Sequence, residues 1–571
     1  MEMLNGGKTN AFCKYGLLNN AKSLNISKIT AVFLVVIINR PNLSVKTSRS
    51  VMKYRSQIKS MPLDLFTPDL DQLPKDNRWV KHGDSLPWDQ IEMLYNSKLN
   101  NGKRGAGNKP ASMIIGALLI KHKMNLSDEE TIEAIRENPY MQYMLGLKEF
   151  TNKSVFDPSL FVTIRKRIGS DDFNDMSESL LKLQIERLAN SKGQESENQD
   201  DTHEGGSASG SVTVSGSTLS NSTQVGQSSD THRGTLKIDA TCSDAEVRYP
   251  TDLDLLHDGC EVMERIIDRF CDITGMGRPS TDFKAVHAVY LKIIKKKNKT
   301  RKELKRCTEY LLSMLSKSTR TALSLFGRTT TDMFMQLKRS DRKLFMTIMK
   351  MYHQQQSMYD EGVHHCEDRI ISIFQPHVRP IVRGKSKAKV EFGSKIGVSV
   401  VDGYTFIDHF SWDAYNKSED LMPHLRAYKK RFGCQPELVD AGKIYLNRRI
   451  MKLLHIKVGS KPLGRPSKTD AEKEEYEALM ARYSGERNEV EGASGTGKRV
   501  YRANNIRAKL ADTGESWCGA CYFAKNMMKF LKGLLHFLYE LADYLRNWID
   551  EIVKSVTLTD YRQLCAYTVK V

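Results

Sequence analysis

Apolar positions between residues 62 and 170 recur at helical spacing. Ser112 to Lys123 (SMIIGALLIKHK) predicts an apolar helix. Leu126-Ser127-Asp128-Glu129-Glu130 then offers a capping residue followed by acids, the mark of a second helix start. Asn138-Pro139 breaks that helix, and Tyr143-Met144-Leu145-Gly146-Leu147 follows it. Phe156-Asp157-Pro158-Ser159 opens another helix, which ends in Arg165-Lys166-Arg167. Residues 59–190 therefore predict an all-α N-terminal domain with a basic face, for DNA or for a protein partner. Residues 191–233 are rich in Ser, Gly, Thr, Asn and Gln, and too poor in apolar side chains to offset the entropy of ordering, so they predict a disordered linker. Residues 1–58 predict a poorly structured leader ahead of Met61. Its apolar run, Ala31 to Ile38, falls well short of the roughly 20 residues that cross a bilayer, so no membrane role follows.

The period changes at Gly234. Thr235-Leu236-Lys237-Ile238-Asp239-Ala240-Thr241 alternates as a strand does. Residues 254–376 return to helical spacing, with Cys260–Phe270 and Leu304–Leu325 as the clearest stretches. Strands resume at Ala388–Val401 and Tyr404–Phe410, joined by Asp402-Gly403, a strong hairpin signal. Asp420–Phe432 predicts a helix, Glu437–Asp440 a short buried strand, Ile444–Leu454 a helix and His455–Val458 a further strand. Helices are expected over about 469–483, 486–511 and 520–555. The order predicts an α/β fold over 234–571, a mixed sheet covered by helices.

Charge adds a partner class. The 571 residues carry 87 Lys plus Arg against 68 Asp plus Glu, a formal net charge of +19. Such a balance attracts polyanions, nucleic acid above all, although a solvated basic surface would read the same way. Nine basic residues and one acid lie between Lys292 and Arg306, and Arg379 to Lys389 adds five more basic residues in a flexible-looking stretch. Both suit phosphate contacts. The ten cysteines follow no regular spacing, as expected of reduced thiols in a cytosol.

Three acids are candidates for chemistry. Asp239 and Asp440 each stand at the end of an apolar strand, where a carboxylate is exposed at the sheet edge and ligands of open α/β sheets bind. Glu491 comes from a helix. At about 100° per residue, Arg487 and Glu491 share a helix face, and Lys498 lies further along nearly the same line. An ordinary salt-bridged helix surface gives the same pattern. Together, three carboxylates can hold Mg²⁺ or Mn²⁺ while leaving positions for phosphate and water. Two such ions serve in-line displacement at a phosphodiester. Nearby acids are rivals. Asp244 is expected past the end of its strand, Asp402 sits in a turn, and Glu489 faces about 200° away from Glu491.

Three segments resemble bacterial DDE insertion-sequence transposases, which have a ribonuclease-H-like catalytic core. They are Leu236-Lys237-Ile238-Asp239-Ala240-Thr241, continuing to Arg248-Tyr249-Pro250-Thr251-Asp252; Leu438-Val439-Asp440-Ala441-Gly442-Lys443-Ile444-Tyr445; and Arg487-x3-Glu491-x6-Lys498-Arg499. The last matches the Y-R-E-K signature of that group at Arg, Glu and Lys, with Tyr483 one residue further away than usual. The resemblance implies a ribonuclease-H-like mixed sheet with a large helical insertion at about 254–376, preceded by the all-α domain. It implies that Asp239, Asp440 and Glu491 hold two Mg²⁺ or Mn²⁺ ions. Arg487, Lys498 and Arg499 would contact DNA, and the N-terminal helices would help recognise terminal inverted repeats. Two copies would work on paired ends, in a bacterial cytoplasm and on its nucleoid. The expected activity is DNA cleavage followed by strand transfer into target DNA. A nuclease of the same fold without strand transfer, and a non-catalytic DNA-binding derivative, are the alternatives.

Two sharper-looking motifs carry less. Gly492-Ala493-Ser494-Gly495-Thr496-Gly497-Lys498 spells a near P-loop, but Arg499 stands where Ser or Thr would bind Mg²⁺, and the preceding segment is charged rather than strand-like. Its glycines are expected to weaken a continuous helix. Trp517-Cys518-Gly519-Ala520-Cys521 has the spacing of a redox motif, but Ala511–Ser516 before it reads as polar and turn-like, not as a buried strand.

Overall fold

In a computed structural model of the chain, the residues described are 69–99, 107–196, 233–382, 390–445, 457–458 and 470–534, with a few isolated positions beyond. The leader, residues 197–232 of the expected linker, and most of the helix expected at 444–454 lie outside them.

The N-terminal part is helical: α1 (Arg78–Ser85), α2 (Trp88–Ser97), α3 (Ala111–Met124), α4 (Asp128–Glu137), α5 (Pro139–Met144), α6 (Leu160–Arg167) and α7 (Ser170–Ser196). Local chemistry sets these boundaries. Ser127 and Glu130 form a reciprocal capping box at the start of α4. Asn138 caps α5 through its side chain, with Pro139 in the first turn, where its missing N–H costs nothing. α7 runs on to Ser196, into the stretch read as linker.

The sheet comprises β1 (Thr235–Asp244), β2 (Arg379–Val382), β3 (Val390–Val401), β4 (Tyr404–Ser411), β5 (Leu438–Ala441) and β6 (Lys457–Val458). β1 pairs antiparallel with β3 on one side and parallel with β5 on the other, and β5 pairs parallel with β6. β2 and β4 both pair antiparallel with β3. The β3–β4 turn places Asp402 (φ 48°) and Gly403 (φ 76°) in the left-handed region, as a two-residue hairpin requires. Between β1 and β2 comes the helical insertion: α8 (Asp252–Thr274), α9 (Phe283–Ile294), α10 (Arg301–Gly327), α11 (Thr331–Gln336) and α12 (Arg339–Glu361). After β4 come α13 (Leu421–Phe432), α14 (Asp470–Val500) and a last helix over 511–534, α15. The fold is mixed α/β, mostly helical around a small mixed sheet.

Four expectations are corrected. Asp244 is the last residue of β1, because β1 keeps pairing with β3 as far as Gly393. Arg379–Val382 is a strand, and Pro380 is tolerated because β2 has only β3 as a neighbour. The helices expected at 469–483 and 486–511 are one helix, continuous through its glycines and ending at Val500. Ala511–Ser516 opens α15 instead of forming a turn, so Cys518 and Cys521 lie inside a helix.

One apolar core runs from the N-terminal helices through the sheet to α15. β4 would be an open edge, since only β3 pairs with it. Two asparagines cover it. Asn174 of α7 bonds both the N–H (3.1 Å) and the carbonyl (2.7 Å) of Ile407. Asn526 of α15 does the same for Thr405, at 2.9 and 2.7 Å. Each side-chain amide replaces the missing strand, so the edge presents no unpaired backbone there. Among the described residues, no helix is long and apolar enough to cross a membrane.

Candidate catalytic face of the sheet

The β1–β5 register sets Lys237 opposite Asp440 and Ile238 opposite Ala441. Side chains alternate along a strand, so Lys237, Asp239 and Asp440 share one face. Asp239 lies mid-strand in β1, not at its end, but one residue past the last position paired with β5. The two aspartates are therefore brought together where the parallel pair finishes.

Their environments differ. Asp239 is one-third exposed and pairs with Lys417 at 3.2 Å, just ahead of α13. Asp440 was expected to be exposed, yet it is buried at 1% exposure, covered by α14. Its Oδ2 is enclosed with no hydrogen-bond partner among the described residues. Burial pushes its carboxyl up to about 6; Lys237 and Arg487 pull it back in part, and Glu486 pushes it further up. An enclosed, unpaired carboxylate oxygen is costly unless a proton or a cation reaches it.

α14 lies across this face. Val490 and Ala493 pack on Val400 of β3, the residue opposite Lys237. Glu489 and Glu491 flank this buried stripe on opposite sides, about 200° apart around the helix. Glu489 reaches the sheet, accepting from Lys237 at 2.6 Å. Glu491 is 54% exposed and pairs with Arg487 at 3.1 Å, one helical turn back. Arg487 in turn lies against the end of β5: a Cβ built on Gly442 would stand 3.6 Å from its Nη1. Its Nε is buried and unpartnered among the described residues. Lys498 is half-buried further along α14, and the exposed Arg499 donates to its own helix at Gly495 (3.4 Å).

The structure thus brings Asp239 and Asp440 to one face and links Glu491 to it through Arg487. The oxygens of the three acids do not all lie within 4.8 Å of one another. Among the described residues, the group that does meet that distance is His257, Asp258 and Glu261 on α8. There, however, Asp258 is held by Arg248 (3.0 Å) and His257 by His287 (2.9 Å). Sequence reasoning gave no role to Lys237 or Lys417 and named Glu489 only as a rival of Glu491. Val490 and Ala493 marked the inner side of α14, but nothing local signalled that Lys237 would meet Glu489 across 252 residues. The near P-loop is helical, as its charged flank implied. Cys518 and Cys521 are fully buried, and burial pushes the Cys518 thiol up to about 12, so neither is a reactive thiolate.

Residues 69–167 match the family described as "Transposase domain (DUF772)". A curated protein of Rhizobium meliloti, "Uncharacterized protein ORF8 in nfe locus", is 31% identical over 124 residues, which cover 22% of this chain and 57% of that protein. The chain thus spans just over half the length of this relative. No solved structure matches the chain. The family match falls within the N-terminal helices, from Asp69 to the end of α6.

Proposed function

We propose that the chain is a transposase that cuts DNA at the ends of an insertion sequence and joins the freed ends to target DNA, on a ribonuclease-H-like sheet. The observation that carries this reading is the Asp239–Asp440 pair on one face, with Asp440 enclosed and one oxygen without a partner among the described residues. The strand order supports it. Three antiparallel strands (β4, β3, β1) are continued by two strands parallel to β1, and a carboxylate lies on each side of the change in direction.

The donor set fits a hard divalent cation, Mg²⁺ or Mn²⁺: all candidate ligands are carboxylates. Asp239 and Asp440 would hold it from the sheet and Glu491 from α14. When bound, such ions make water or a 3′-hydroxyl nucleophilic at neutral pH and steady the leaving oxygen. The chain's own residues do the rest. Lys417 and Arg487 now neutralise Asp239 and Glu491. Released from those pairs, both cations would be available to a phosphate. Lys498 and Arg499 extend the cationic line along α14 for the DNA backbone. The helices of residues 69–167 would recognise the terminal inverted repeats, with two copies on paired ends.

The test is cleavage and joining of duplexes carrying the element's terminal repeats, with Mg²⁺ or Mn²⁺. Asp239→Asn, Asp440→Asn and Glu491→Gln are each expected to lose more than about a hundredfold, since even outer partners of metal ligands cost 10–100-fold. Equal cutting by wild type and Asp440→Asn sinks the reading. Cutting without joined products leaves a nuclease.

A further inference from the structure

The turn between α9 and α10, within the helical insertion, is densely charged. All nine basic residues between Lys292 and Arg306 are exposed. The one acid among them, Glu303, is spent on Lys296 (2.5 Å) and on capping Thr300. A solvated helix end explains part of this pattern, because cations at the C-terminal end of α9 complement its dipole.

It does not explain α10. A helix N-terminus is positive and favours acids. Several other helices obey: α4 opens with Asp128-Glu129-Glu130, α7 with Asp171 and Asp172, and α8 with Asp252 and Asp254, while α12 opens on Arg339 ahead of Asp341. α10 instead opens with Arg301 and Lys302, followed within a turn by Lys305. These cations sit where the helix's own field repels them. The arrangement suits an anion outside the chain, since a helix N-terminus and exposed cations then act on it together. The Thr300–Glu303 capping box (Thr300 N–H to Glu303 Oε2 3.0 Å) fixes the turn, so the cations are carried on a rigid end.

We propose that this turn is a second DNA-contacting surface, gripping the phosphate backbone of duplex DNA without reading its sequence. The inference rests on DNA being the chain's partner, and adds that the insertion itself holds it, apart from the carboxylate face. The turn carries eight more cations than anions over fifteen residues. Its charges are presented in two short runs around the turn, which suits the repeating charge of a phosphate backbone.

The experiment measures binding of the full chain to a short fluorescent duplex of arbitrary sequence, without divalent ions, across a salt series. It compares wild type with the combined variant Lys295→Gln/Lys297→Gln/Lys299→Gln/Lys302→Gln. Each phosphate contact contributes about 0.9 to the slope of log affinity against log salt, so the combined variant should lose about 2–4 of that slope and more than about tenfold in affinity. A combined variant that unfolds at the wild-type temperature and binds duplex with unchanged affinity and slope overturns this proposal and leaves the catalytic reading standing. So does a loss confined to anionic vesicles or single-stranded RNA. A wild-type chain that does not bind DNA at all sinks both.

Discussion

The two faces of the sheet each bury an aspartate, and they treat it in opposite ways. On the α13 side, Asp408 is fully buried with both oxygens taken. Oδ2 accepts from His424 at 2.7 Å and Oδ1 from Arg431. Burial alone would raise its carboxyl, but Arg431 and His424 together hold it well below the usual carboxylate range. Beside it, buried Asp420 takes bonds from His409 (2.5 Å) and Tyr415 (2.8 Å). On the α14 side, Asp440 is buried at 1% exposure, keeps one oxygen without a partner among the described residues and is pushed up to about 6. The first face uses charge to fix structure. The second leaves a buried acid oxygen without a partner among the described residues, which marks a candidate site rather than a brace.

The largest stability effect expected from this contrast is at Asp408. Asp408→Asn leaves Arg431 buried without its counter-charge, and breaking such a pair costs about 3–5 kcal/mol. Denaturant unfolding of the two proteins measures it. A loss under about 1 kcal/mol would mean that the α13 face is no more braced than the α14 face, and the comparison would fail.

Asp440→Asn is expected to move stability the other way. A folded carboxyl near 6 against 3.8 in an unfolded chain corresponds to about 2–3 kcal/mol of unfavourable burial well above pH 6. The folded state keeps this proton when the unfolded chain has already lost it. Asp440 therefore lowers wild-type stability progressively between about pH 4 and pH 6, and by a constant amount above. Asp440→Asn should unfold at a higher temperature than wild type at pH 7.5 and at nearly the same temperature near pH 4. Mg²⁺ or Mn²⁺ should raise the unfolding temperature of wild type above pH 6 and leave that of the variant unchanged. An Asp440→Asn protein less stable than wild type at pH 7.5 would make Asp440 a structural acid like Asp408.

Much of this was legible in the sequence, where the cause is local. The Ser127 cap, the break at Asn138-Pro139, the Asp402-Gly403 turn and the alternation of β1 depend on residues a few positions apart, and each lies as expected. That Asp239 and Asp440 lie on strands followed from the same patterning, although Asp239 stands mid-strand and not at the end expected. What depended on distant partners was not legible. Glycines in α14 read as weak points, yet Gly497 lets α15 approach: a Cβ there would stand 2.5 Å from the Tyr522 ring. The burial of Asp440 comes from α14, more than 30 residues on. Ala511–Ser516 is polar on average, but Thr513 and Ser516 point inward in α15, at 2% and 1% exposure, so hydropathy alone misread it as a turn.

The smallest stability effect belongs to the two glutamates that flank the buried stripe of α14, and it sharpens the assignment most. Glu491 and Arg487 form an exposed i,i+4 pair worth about 0.3–0.5 kcal/mol. Glu491→Gln should therefore leave the unfolding transition almost unmoved while removing Mg²⁺-dependent cleavage. Glu489→Gln should do the reverse. It frees Lys237 from its 2.6 Å pair beside Asp440, which costs up to about 1 kcal/mol and spares cleavage. If Glu489→Gln abolishes cleavage and Glu491→Gln does not, the third ligand of the face is the glutamate already touching the sheet. Lys237 must then give way to the cation, and the spacing Arg487-x3-Glu491-x6-Lys498 describes a DNA-binding helix surface and not a metal site.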